Sequence, residues 1–200
     1  MEQTATSAVV DFILDAALED FPEEVIREGK RCVTDGVAVI LAGASSPASA
    51  ILLRQVRTAG GTEESTVLGA ETFSAPAALA ARANALSGHA LDYDDTQLSH
   101  WPDRIFGLLT HPTIPPLAAT LALGERVGAS GASFLESFLT GFEVECKIAD
   151  AIDPQHYKKG FHSSGTIGAL GAAAASAKML GLDESQTRMA IGIAASLASG

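Results

Sequence analysis

The run His89-Ala90-Leu91-Asp92-Tyr93-Asp94-Asp95-Thr96, followed by His111-Pro112-Thr113, gathers imidazole, carboxylate and hydroxyl groups in an otherwise apolar stretch. These groups can move a proton near neutral pH. Three carboxylates in four positions repel one another, so they need water, cations or a chemical task. A helix continued through this run carries His89, Asp92 and Thr96 at i, i+3 and i+7, on one stripe, and turns Asp94 to another face. The plainer alternative is an acidic helix end that is simply solvated.

Two further segments hold the remaining chemistry. Residues 97–113 contain His100, Trp101, Arg104 and His111, and residues 153–164 contain His156, Tyr157, Lys158, Lys159 and His162. Both read as loops, and loops aimed by a rigid scaffold are where sites gather. Lys158 and Lys159 could attract substrate anions, or could be ordinary solvated surface.

The elements that must position these groups read as helix after helix. Ser7 is a cap for a first helix with the stripe Val9, Phe12, Ile13 and Ala16. Pro22, as a first helical residue before Glu23 and Glu24, opens a second that runs to Gly43. Ser46-Pro47 starts a third, stopped at Gly60-Gly61, and Ser65 to Leu68 reads as a short extended piece. Ser74-Ala75-Pro76 opens the helix that carries the acidic run. Pro115-Pro116 begins another, which ends near Val127-Gly128, and Ser133 to Ile152 forms a longer one. Thr166 to Leu180 is built of glycine, alanine and serine, which lets neighbours approach closely and predicts a central helix. Asp183 and Gln186 make a capping box for the last. The fold class is all-α: one helical bundle domain over residues 1–200.

Composition narrows the function. Hydrophobic residues are 47% and charged residues 18%, a globular balance with a large core. The net charge of −11 disfavours nucleic acid and anionic membrane partners. Any anionic substrate must therefore meet a local cationic cluster. Cys32 and Cys146 are too few for a disulfide scaffold or an iron–sulfur cluster, and no spaced ligand set suggests a metal. The first residues lack the basic and apolar regions of a signal peptide, and no apolar run is long enough for a membrane span. A cytoplasmic location is expected, and the apolar surplus suggests a homo-oligomer, a dimer in the simplest case.

Asn84, His89-x-Leu-Asp-Tyr-Asp-Asp-Thr96 and His111-Pro112 together resemble the signature of the MmgE/PrpD family. Phe21-Pro22-Glu23-Glu24-Val25, Asp35-Gly36-Val37, Leu41-Ala42-Gly43, Gly141-Phe142-Glu143-Val144-Glu145 and Gly160 to Thr166 are similar to its other blocks, in register. The resemblance covers essentially the whole chain. Its members include 2-methylcitrate dehydratase, cis-aconitate decarboxylase and iminodisuccinate epimerase. It implies a cofactor-independent lyase or isomerase that abstracts a proton beside a carboxylate of a small di- or tricarboxylic acid, without a metal. Carried over by position, the resemblance makes Asp92, Thr96, His111 and His162 catalytic, and brings His89, Arg104, Lys158 and Lys159 to the substrate. It also implies that this chain is an N-terminal half, followed beyond residue 200 by an α+β lid domain with a lysine and another histidine. In this sequence Gln97 to Thr110 intervene before the His-Pro pair, so either His100 or His111 can fill the family position.

Two other readings stand beside this one. Asp94-Asp95 suggests a metal-dependent diphosphate enzyme, but Leu98 occupies the position of the third acid. Small-residue helices and low charge also suit a non-catalytic helical binding or assembly module. The two readings part on whether Asp92 and the histidine loops converge on one pocket.

Overall fold

Residues 4–99, 110–152 and 155–198 are described by a computed structural model of the chain. His100, Trp101 and Arg104 therefore lie outside the described residues. The first helix, α1 (Ala5–Asp15), starts one residue after Thr4, whose side chain accepts the Ser7 backbone N–H at 3.2 Å. The expected cap, Ser7, lies inside the helix instead, because the chain already turns at Thr4.

A short 3-10 turn, Leu18–Asp20, leads to α2 (Glu23–Gly43). Pro22 stands just before that helix rather than in it, and Glu23 and Glu24 complement its N-terminal dipole. Ser46 caps α3 (Pro47–Ala59) as expected, and Gly60, at φ 61°, ends it. Two short strands follow, β1 (Ser65–Val67) and β2 (Phe73–Ala75), antiparallel with Ser65 opposite Ala75. The second strand has only Phe73 as an apolar signal, so the sequence shows the first alone. Then come α4 (Ala77–His89), α5 (Ile114–Val127) and α6 (Gly131–Ile152). The second expected loop contains a helical turn, α7 (Gln155–Lys158), which precedes α8 (Ser163–Met179) and α9 (Glu184–Leu197). Asp183 and Gln186 close the capping box.

The bundle is organised around α8, which packs against α5, α6 and α9. Its glycines and alanines make this possible. A Cβ at Gly141 of α6 would lie 2.6 Å from both Ala175 Cβ and the Gly171 carbonyl oxygen, so the two backbones nearly touch. On the other side, Ile40, Ile114, Leu117, Leu135, Phe138 and Leu139 join α2, α5 and α6 in one apolar cluster. Burying each such side chain contributes about 1.5–3 kcal/mol before the entropy cost of ordering it. Among the described residues, no single helix is long and apolar enough to cross a membrane. Only α2 and α3 taken together reach that length, and they are bent by 88°. Cys32 is half-buried and Cys146 buried, and both are free thiols.

Candidate active site

The acidic run does not continue α4. The helix ends at His89, and Asp92 takes a left-handed φ of 56°, the one non-glycine residue to do so among the described residues. Its backbone N–H donates to the His89 carbonyl at 3.2 Å and closes a tight turn. The expected stripe of His89, Asp92 and Thr96 is therefore broken. Asp94, expected on another face, folds back beneath the helix end.

The buried Asp94 carboxylate receives His89 Nδ1 at 2.9 and 3.1 Å. It also lies 3.5 Å from His111 Nδ1. His111 is itself buried, with its ring edge-on to His89 at 4.8 Å between centroids. Asp92 approaches from the solvent side, Oδ1 to His111 Nε2 at 3.6 Å, with its side chain 80% exposed. That is an ion-pair contact and too long for a hydrogen bond. His162, the residue before α8, crosses from the far side of the bundle. Its Nε2 meets His89 Nε2 at 3.2 Å. Three histidines and two aspartates thus converge, which favours a site over scattered surface polarity.

The surroundings drive two of these imidazoles in opposite directions. The hydrogen bond from Asp94 raises His89 above its ordinary value, aided by the charges of Asp94 and Asp92 and opposed by burial. His162 is lowered, first by burial and then by the positive charges of His89 and His111. The two rings meet at 3.2 Å, and the opposite shifts favour the proton on His89 over His162.

A scaffold of hydroxyls and carboxyls fixes His111. Its backbone N–H donates to Ser164 Oγ at 3.0 Å. The preceding Thr110 donates from Oγ1 to Glu145 Oε1 at 2.8 Å. Glu145 is fully buried on α6, and its Oε2 has no hydrogen-bond partner. Burial, together with the charges of Asp95 and Asp94, pushes Glu145 well above the usual carboxylate range, against the Thr110 hydrogen bond, which favours its protonated form. Asp95 accepts the Thr113 N–H at 3.2 Å and its hydroxyl at 2.8 Å, and so ties the acidic turn to the start of α5.

The histidines open into a cavity of about 880 Å³ between α4, α5 and α8. His89, Asp94, His111, His162 and Ser164 form its polar end, Arg82 stands on its wall, and alanines line the rest. Thr96 is exposed and is not among the lining residues. Lys158, at the end of α7, and Lys159, in the turn after it, are exposed and also lie off the lining, and Arg104 lies outside the described residues. His156 stacks on Phe161 and contacts Thr166 Oγ1 at 2.7 Å, which ties α7 to α8.

Sequence reasoning missed Asp94, Ser164, Glu145 and Arg82. Arg82 alone carried a readable signal, since it lies at i−7 from His89 on one face of α4. The sequence spacing suggests no metal ligand set, and the fold nonetheless brings four candidate groups together. His89, Asp92, Asp94 and His111 offer ligand atoms within 4.8 Å of one another, a spacing a metal ion could bridge. The fold assembles this set, and no motif spacing reveals it.

The chain is 29% identical over 201 residues to cis-aconitate decarboxylase of Mus musculus, covering 98% of this chain and 39% of the mouse protein. It is 30% identical over 179 residues to the cis-aconitate decarboxylase of Homo sapiens, 87% of this chain and 35% of that one. A cis-aconitate decarboxylase-like protein, oryM, of Aspergillus oryzae is 29% identical, covering all of this chain and 41% of its own length. The chain thus spans well under half the length of these curated relatives. A model of the MmgE/PrpD N-terminal domain matches residues 7–200, and the chain belongs to the MmgE/PrpD family.

Proposed function

We propose that this chain supplies the proton-transfer part of a lyase site for small polycarboxylic acids. The observation that carries the reading is the 3.2 Å contact between His89 and His162, two imidazoles shifted in opposite directions at the polar end of one cavity. Loss of water requires a proton taken from carbon and another given to the departing hydroxide. Loss of carbon dioxide leaves an electron pair on carbon that must be protonated. Dehydration needs a base for the carbon proton and an acid for the leaving hydroxide, and decarboxylation needs an acid to protonate the carbon left behind. His89, held by Asp94, is the acid. His162 is the base, and His111, bracketed by Asp92 and Asp94, orients or completes the transfer. Arg82 offers the wall of the cavity a cation for a substrate carboxylate.

Decarboxylation of a cis-aconitate-like substrate is the favoured reaction, since that is the name the similar proteins carry. Epimerisation, which takes a proton from carbon and returns one on the opposite face, is the second reading. In this reading the chemistry runs without a metal, with the Asp94 oxygens holding His89. Incubation of the full-length protein with small di- and tricarboxylates in D₂O, followed by mass spectrometry, tests the proposal. Deuterium at carbon in product or recovered substrate is expected. Turnover without carbon-bound deuterium overturns it.

A further inference from the structure

Ser164 stands in the second residue of α8, two positions after His162, and its side chain lines the cavity. A serine hydroxyl has one proton to donate and two lone pairs to accept with. Here one lone pair is spoken for. The His111 backbone N–H donates to Ser164 Oγ at 3.0 Å. Thr110 Oγ1, whose own proton goes to Glu145 Oε1, lies 3.5 Å away and offers the Ser164 proton only a long contact. The side chain is half-buried, with the cavity as its open side.

We infer that Ser164 is a substrate-binding residue whose hydroxyl donates into the cavity, to a carboxylate or developing enolate oxygen of the polycarboxylate held beside His89 and His162. The inference rests on the functional reading above. The donation is directional, because the His111 N–H occupies one side of the oxygen and the cavity is its open side. An anionic oxygen is the partner that repays such a donor best, since charge-assisted hydrogen bonds are the shorter and stronger ones. Ser164 therefore couples two tasks. It fixes the His111 backbone with a lone pair and reads the substrate with its proton.

The test uses the full-length protein, with cis-aconitate as substrate and tricarballylate, a saturated tricarboxylate, as a non-reacting probe. Ser164→Ala should raise KM for cis-aconitate and the inhibition constant of tricarballylate by about 10- to 100-fold, with a smaller change in kcat. Ser164→Cys covers the case in which the alanine variant does not fold. Its thiol still faces the His111 N–H but donates weakly, so the same rise in both constants is expected. Unchanged constants in a folded variant overturn the inference, and so does a fall in kcat with KM and inhibition unchanged, which would leave Ser164 acting only through His111. A wild-type protein that neither turns over cis-aconitate nor binds tricarballylate overturns the functional reading itself, and this inference with it.

Discussion

His89 rests on Asp94: the imidazole Nδ1 lies 2.9 Å from a carboxylate oxygen whose side chain is only 1% exposed. The four residues between them include the left-handed Asp92, so the pair exists because the helix stops and the chain turns back. An acid fixed to one ring nitrogen leaves the other aimed at His162 and the cavity.

Asp94→Asn should therefore reduce turnover more than Asp92→Asn. The amide cannot stabilise an imidazolium, and a loss of about 10²- to 10⁴-fold in kcat is expected. The exposed Asp92 carboxylate, at 3.6 Å from His111, should cost less when neutralised. Steady-state kinetics of the two variants in the full-length protein decides the order.

Asp92 holds a backbone conformation that suits glycine. Asp92→Gly should leave stability unchanged or raise it by about 0.5–1 kcal/mol while lowering activity. Denaturant unfolding alongside kinetics measures both. A marked loss of stability would show that the side chain, rather than the turn, holds this segment.

Glu145 and His89 set the pH dependence of stability in the same sense. Both bind a proton more tightly when folded, with ordinary values of 4.5 and 6.5. Their stabilisation is complete below those ordinary values and declines as pH rises through the raised folded ones. Melting temperatures should fall from mildly acidic to alkaline pH. Glu145→Gln, which mimics the neutral acid, should flatten the part of that fall due to Glu145. Glu145→Ala should instead cost about 2–4 kcal/mol, by leaving a cavity and an unpartnered Thr110 hydroxyl.

Gly171 gives the buried acid its room. A Cβ there would lie 2.5 Å from Glu145 Oε2 and 2.8 Å from its Cβ. Gly171→Ala should destabilise the domain by about 1–3 kcal/mol. Pairing it with Glu145→Ala should recover part of the loss, and a double-mutant cycle measures that coupling.

Removing metal should leave activity intact. His89, Asp92, Asp94 and His111 are close enough to bridge an ion, so the test is a sharp one. Dialysis against a strong chelator followed by assay is sufficient. Activity lost on dialysis and restored by one equivalent of a divalent ion would assign the cluster to a metal and displace the acid–base reading.

Helix starts and stops were legible along the chain because they depend on neighbours in sequence. Ser46-Pro47, Gly60, Gly128 and the Asp183–Gln186 box each act within one helical turn. The small residues of α8 announced a helix hemmed in by others, and the histidine-bearing segments marked which end of the bundle carries polar chemistry. The helical continuation to Thr96 failed because propensity does not reveal a left-handed turn at an aspartate. Only tertiary packing decided the rest. His89 and His162 are 73 residues apart, and their contact exists because α8 packs on α5 closely enough to bring the residue before it to the end of α4. Glu145 reads as one more polar residue on a long helix until α8 closes over it and removes its water. Burial of that kind is set by the summed contacts of several helices, which no local pattern of residues encodes.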